Sequence, residues 1–295
     1  LVGSEMCIRD SLTILLSFLT RIVFIKAFGE NYLGINGLFS NILSVLSLAE
    51  LGVSSAIVYC MYKPIAEKNY RQLAALMNYY KKLYRIIGLL VAVIGLVIVP
   101  FLSVLVNIEA DIGNVTVYYL LYLTNTVSSY FLVYKTSILT ADQKDYIIKL
   151  CRVIVAAVQF VVLTIVAFGL KNYTVYLALQ IGFSILNNVV CSHIAEKQYP
   201  FINDKVELPA EEKKSIWSSI LSMFSYQVGN VILNNTDNIL ISVIVNTVVV
   251  GFYSNYSMIV AAIATFLQLV FTSVQASIGN LAAGGNEEKQ YKIFN

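Results

Sequence analysis

Two carboxylates and one guanidinium fall inside stretches that are otherwise apolar, and they are the residues of this chain best placed to do chemistry. Glu50 lies in Leu33–Ser55, LGINGLFSNILSVLSLAELGVSS, where Ser40, Ser44, Ser47, Glu50 and Ser54 recur every three or four residues. On a helix that spacing makes one polar stripe. Asp237 lies in Ser215–Val245, on a second stripe of Ser219, Ser222, Tyr226, Asn230, Asn234 and Asp237, flanked by Gln227 and Asn238. Val248–Ala283 carries a third set, Ser257, Thr265, Gln268, Thr272 and Gln275. Arg21 interrupts the first apolar stretch, with Lys26 nearer its end.

Ionisable groups at membrane depth are costly unless paired, protonated or facing water, so they mark a pathway through a bundle. Glu50 is about 16 residues from one end of its span, or roughly 24 Å along a helix. A carboxylate there, at Glu50 or Asp237, suits binding and release of a proton or cation such as Na+. The bland alternative is a neutral acid hydrogen-bonded between helices. The guanidinium fork of Arg21 suits a phosphate or carboxylate. Arg21 and Asp237 lie at similar depth, which predicts an ion pair between them. Lys26 is explained by snorkelling to the interface. Lys135 sits about one turn from the inner end of its span, where snorkelling and an inner-side phosphate contact account for it equally well.

No other chemistry is visible. There is no Ser/His/Asp grouping, Walker A motif or HExxH, and the chain is not expected to be an enzyme. The one histidine, His193, stands alone, and Cys7, Cys60, Cys151 and Cys191 show no metal or redox spacing. No metal or organic cofactor is expected beyond a coupling ion, H+ or Na+. A net charge of +3 implies no nucleic-acid partner.

The elements that must hold these residues follow from composition. The 295 residues are 58% hydrophobic and 13% charged, with mean hydropathy +0.74. Soluble domains carry about 25% charged residues, so the reading is an all-α polytopic transmembrane helix bundle in a bilayer. Eight spans are expected, near 11–28, 34–62, 83–106, 115–139, 146–170, 173–194, 215–245 and 248–283, with Pro100 as a kink or end. The stretch 64–82 reads as a short helix lying on the inner surface. Spans 3, 5 and 6 are rich in Val, Ile, Leu, Phe and Tyr and read as lipid-facing packing. Alternate loops hold fifteen basic residues, from Lys63 to Lys292, against Lys171 alone on the other side. That asymmetry places the N-terminus and the basic loops in the cytoplasm. Glu109 and Asp111 fall on the external side.

The opening residues 1–10 resemble a translated adapter sequence and are expected to be a non-native or disordered tail. Residues 11–195 read as a first six-helix lobe and 196–214, with Pro200, Pro209 and PAEEKK, as a cytoplasmic linker. Residues 215–295 read as the first two helices of a second lobe. A faint internal echo supports duplication: Gly34, Ser40, Ile42 and Asn69 match Gly251, Ser257, Ile259 and Asn286 at one fixed offset of 217.

YLGINGLFSNILSVLSLAELGVSSAI (Tyr32–Ile57), then YKPIAEKN (Tyr62–Asn69), resembles the start of Wzx-type polysaccharide flippases, and so does TDNILIS (Thr236–Ser242) with VGFYSNY (Val250–Tyr256). These belong to the MOP superfamily, with the MATE drug efflux pumps and lipid II flippases. The resemblance covers about residues 11–295. It implies a MATE-like fold of two six-helix lobes lining a cavity with spans 1, 2, 7 and 8. It implies transport, by alternating access, of oligosaccharide on undecaprenyl pyrophosphate across the cytoplasmic membrane, for O-antigen or capsule biosynthesis. Pathway polymerases and glycosyltransferases would be partners. Arg21 would meet the pyrophosphate, Gln227, Asn230, Asn234, Asn238, Gln268 and Gln275 would bond sugar hydroxyls, and Glu50 or Asp237 would bind the coupling ion. Family members have twelve to fourteen spans, so these eight are expected to be a fragment. Two alternatives stand beside this: a drug/cation antiporter of the same fold, and a membrane polysaccharide polymerase or ligase.

Overall fold

The computed structural model describes residues 2–47, 53–106 and 112–283; the side chains of 2–11, 55, 223, 225–227, 230–235, 266 and 268–283 are outside the description. Helices occupy all eight expected positions, and no strand occurs among the described residues. The fold is an all-α polytopic bundle. Helix α1 (Val2–Phe28) runs without a break. Gly29, at φ 82°, turns the chain into α2 (Glu30–Leu46) within one residue, a left-handed conformation that favours glycine. The second span is two helices, α2 and α3 (Val53–Ala66). Glu50 lies between them, outside the described residues, as do Glu109, Asp111, Asn286, Lys289 and Lys292.

Helix α4 (Tyr70–Ile98) corrects one expectation. The polar stretch 70–82 is its first half, not a separate surface helix. No Gly or Pro interrupts residues 70–87, and Leu73, Ala74, Ala75, Leu76, Met77 and Tyr80 bury one face against the bundle. Asn69 caps it by accepting from the Gln72 N–H at 3.1 Å. Pro100 ends it as expected, in a 3-10 turn (Val99–Phe101) that leads to α5 (Leu102–Leu105). Helices α6 (Val115–Val133), α7 (Ser137–Ala141), α8 (Asp145–Gly169), α9 (Tyr173–Gln198), α10 (Ala210–Ile244) and α11 (Thr247–Ala283) complete the chain. Asn114 and Asn172 cap α6 and α9 in the same way as Asn69.

Among the described residues, four helical stretches are long and apolar enough to cross a bilayer: Tyr70–Leu105, Asp145–Gly169, Tyr173–Gln198 and Thr247–Thr265. One face of α4 shows why. Ile86, Leu89, Leu90, Val93, Ile94 and Val97 point outward, while Ile87, Val91 and Gly95 are buried. Such a contiguous apolar patch belongs in lipid.

Lipid tails are as apolar as leucine, so close packing and hydrogen bonds must hold the helices together. At the end bearing Gly29 and Lys171, rings from α1, α2, α6 and α9 interlock. Tyr173 lies 4.6 Å from Tyr32 and 4.8 Å from Tyr118, centroid to centroid, and Phe28 lies 5.1 Å from Tyr176. Their hydroxyls find acceptors: Tyr118 donates to the Ile112 carbonyl at 2.9 Å and Tyr119 to the Gly95 carbonyl at 3.0 Å.

The opposite, basic end is held by polar contacts. Asn78 of α4 donates to the carbonyls of Asp204 and Val206 in the stretch before α10, and Lys82 pairs with Glu207 at 3.5 Å. Lys144 sits 2.7 Å from Asp142 and donates to the Tyr199 hydroxyl at 2.9 Å, while Tyr199 donates to Asp142. Burial pushes the Asp142 carboxyl up, but hydrogen bonds from Lys144 and Tyr199 outweigh it and hold the group below its ordinary value. Hydrogen bonds to Asp142 and Tyr199 hold the Lys144 ammonium above its own.

A depressed carboxylate contributes stability above its unfolded pKa, about 3.9, and loses it as pH falls through the folded value. A raised lysine contributes below about 10.4 and loses it as pH rises through the folded value. Asp142→Asn is therefore expected to lower the melting temperature by a constant margin from about pH 9 to about pH 5, and by a shrinking margin below about pH 4. Thermal melts followed by circular dichroism in detergent check this. An equal deficit at pH 3 and pH 7 would show that the carboxylate charge is not what holds the tie.

Candidate functional site

The first part of the site is a contact between two glycines. Helices α2 and α11 cross so closely that a Cβ on Gly34 would overlap the Thr247 carbonyl oxygen. A Cβ on Gly251 would lie 3.0 Å from the Gly34 nitrogen and 3.2 Å from the Glu30 carbonyl oxygen. A Cβ on Gly37 would lie 3.4 Å from Cβ of Ser254. These contacts obey the sequence offset. Gly34 corresponds to Gly251, Gly37 to Ser254 and Glu30 to Thr247. The contact of Gly34 with Thr247 therefore has its exchanged counterpart in that of Gly251 with Glu30, and Gly37 with Ser254 is its own counterpart, the pattern of a two-fold relation. The turn between α10 and α11 closes on the same end. Ser242 donates to the Leu105 carbonyl at 2.7 Å and lies 2.6 Å from the buried Thr247 hydroxyl.

Arg21 joins this contact from α1. Its Nε–H donates to Asn255 Oδ1 at 2.8 Å, and its terminal nitrogen donates to the Ser254 hydroxyl. The guanidinium is thereby fixed across α1 and α11, beside the glycine crossing. It has five N–H donors in all, so these two bonds leave donors for a ligand. Beside it opens a cavity of about 360 Å³, lined by Ser17, Thr20, Arg21, Asn36, Gln159 and Gln180 among others. Among the described residues, the lining holds one cation, three amides and no carboxylate, which suits an anionic, hydroxyl-rich ligand.

The expected pair between Arg21 and Asp237 does not form. Asp237 accepts from the Tyr253 hydroxyl at 3.0 Å, while Arg21 reaches the next two residues of α11. Successive residues point about 100° apart around a helix, so the two polar groups meet different faces of α11. Asn238 is buried, and its Oδ1 has no hydrogen-bond partner. Lys135 follows the end of α6 and forms a 2.6 Å ion pair with Glu196 of α9. Its side chain is only 16% exposed, so that charge is already matched. Gln227, Asn230 and Asn234 lie on α10, and Gln268 and Gln275 on α11, but their side chains are outside the description.

Spans 5 and 6 differ from their expected role as lipid-facing packing. Leu150, Ile154, Val161 and Leu186 do face outward. The inner faces of α8 and α9 place Gln159 and Gln180 beside Arg21. Gln159 is the one amide of the apolar α8, and Gln180 begins a spaced polar set with Ser184 and Asn187 on α9; those are the sequence signals that could have marked them.

A family model described as polysaccharide biosynthesis protein matches residues 8–276. No curated protein and no solved structure matches the chain. The match spans nearly the whole sequence, so the chain belongs to the polysaccharide biosynthesis protein family.

The Arg21 bridge is tested by a double-mutant cycle. Arg21→Ala and Asn255→Ala are each expected to destabilise the protein in detergent unfolding, with a coupling energy of about 1–2 kcal/mol. Additive effects would mean that the bond carries no energy.

Proposed function

We propose that this chain moves an undecaprenyl-pyrophosphate-linked oligosaccharide across the cytoplasmic membrane for surface polysaccharide assembly, as Wzx-type flippases do. The observation that carries this reading is Arg21, a guanidinium bridging α1 to α11 over a polar cavity whose lining holds no carboxylate among the described residues. Membership of the polysaccharide biosynthesis family supports a role in that pathway.

In this reading the basic loops lie in the cytoplasm, and α1–α9 and α10–α11 belong to two lobes. The carrier enters from the inner leaflet. Its phosphates engage the free donors of Arg21, and cavity amides bond sugar hydroxyls. Release on the far side requires the crossing of Gly34 and Gly251 to part. Glu50 or Asp237 binds H+ or Na+ to drive the return. Pathway glycosyltransferases deliver the substrate and a polymerase consumes it. Lys135 remains at the inner end as a contact for the arriving phosphate, if Glu196 releases it.

Reconstitution of the protein into liposomes with a fluorescent undecaprenyl-pyrophosphate glycan tests the reading. The protein is expected to speed leaflet exchange above that of empty liposomes, and Arg21→Ala to slow it at least about tenfold, the loss of one charged hydrogen bond. Exchange no faster than in empty liposomes, or a full rate in Arg21→Ala, would overturn it.

A further inference from the structure

A second chamber adjoins the Arg21 cavity. It has a volume of about 280 Å³ and lies between α6, α8 and α9. The two share Ala156, Gln159 and Gln180, so those residues form a common wall. The far side is formed by Arg152 and Asn125, with Ser184 and Asn187 beside them. Arg152, Ala156 and Gln159 fall three or four residues apart on α8, as do Gln180, Ser184 and Asn187 on α9. Both helices thus turn a polar stripe toward each other and an apolar face outward.

Tyr122 and Asn187 of this lining have partners in Tyr173 and Cys191, but other polar groups there do not. Asn125 Oδ1 is buried without a hydrogen bond. Among the described residues, Arg152 forms no ion pair, and the Gln159 and Gln180 side chains form no hydrogen bond. A buried polar atom is almost always satisfied, so Asn125 Oδ1 calls for a donor such as a ligand hydroxyl, while Arg152, exposed on the chamber's lining, offers an unmatched charge. Among the described residues, the lining of this chamber carries a guanidinium and several amides but no carboxylate. Its size is at the lower end for small-molecule sites, which run from about 300 Å³. One sugar unit fits such a space better than a whole repeat.

We propose that this chamber binds the anionic group of one glycan unit, a carboxylate or phosphate, with Arg152 as the counter-charge and Gln159 and Gln180 as hydroxyl partners. The identity of the ligand rests on the transport reading above; the site itself rests on the lining. Arg152 and Arg21 then stand at the two ends of one polar compartment. An acidic repeat unit can occupy Arg152 while its carrier phosphates occupy Arg21.

The test is binding to the protein in lipid nanodiscs, by calorimetry, with three probes: digalacturonate, inorganic pyrophosphate and the neutral disaccharide chitobiose. At least one anionic probe is expected to bind at least about tenfold more tightly than chitobiose, and Arg152→Gln to remove that preference. Arg152→Lys restores part of it, and Ser184→Leu, which fills the chamber, weakens binding without touching the charge. Tighter binding of digalacturonate identifies the sugar as the source of the anion; tighter binding of pyrophosphate identifies the carrier. Equal binding of all three, no binding, or an unchanged preference in a folded Arg152→Gln protein overturns the site. Failure here with glycan exchange intact leaves the transport reading standing. Binding that depends on Arg152 without exchange overturns transport and leaves the site.

Discussion

The backbone contact between Gly34 and Gly251 sets the geometry of the rest. Only the absence of side chains lets α2 and α11 approach this closely, and any Cβ at Gly34 would enter the Thr247 carbonyl. Close approach lets Arg21 of α1 reach Ser254 and Asn255 on α11. It also brings the α10–α11 turn under Leu105, where Ser242 bonds the carbonyl. The outcome is one end closed by backbone contact, short polar bonds and a cluster of aromatic rings. The other end is held by solvent-facing ion pairs such as Lys82–Glu207.

The two ends are therefore built from interactions of different kinds. Rings and glycines pack without charge and tolerate a lipid-like surrounding. Exposed ion pairs contribute little each and weaken with salt. The exchange symmetry of Glu30, Gly34 and Gly37 with Thr247, Gly251 and Ser254 gives the crossing equal standing on both helices. In the transport function proposed above, this two-fold contact would be the point about which two lobes rock. Arg21 breaks the symmetry, because its counterpart at the same offset is Asn238. The charge is on one side only, beside the polar cavity.

Much of this was legible in the sequence. The apolar runs between basic loops gave the helices, and Pro100 and the asparagines at 69, 114 and 172 sit at their ends. Arg21 stood out because a guanidinium in an apolar helix has few explanations. The echo of Gly34 in Gly251 was visible, but that the two touch was not, since periodicity fixes a face and not its partner. The pairing of Arg21 with Asp237 was misjudged because depth along a helix says nothing of azimuth. Gln159 and Gln180 were passed over because the apolar content of α8 and α9 dominates their pattern, and Arg152 was counted with the basic loop residues because it lies within two turns of the start of α8. Only packing shows that they share a wall.

Closure at the glycine crossing is most directly tested by a disulfide across it. Cβ atoms built at Gly37 and Ser254 lie 3.4 Å apart, close to the range of about 3.5–4.5 Å in disulfides. With Cys7, Cys60, Cys151 and Cys191 replaced, Gly37→Cys with Ser254→Cys is expected to cross-link in native membranes under mild oxidation. The cross-linked protein should fail to exchange its glycan carrier until reduced. A pair that stays reduced, or a cross-linked protein that transports at the full rate, would contradict a crossing that closes and must open.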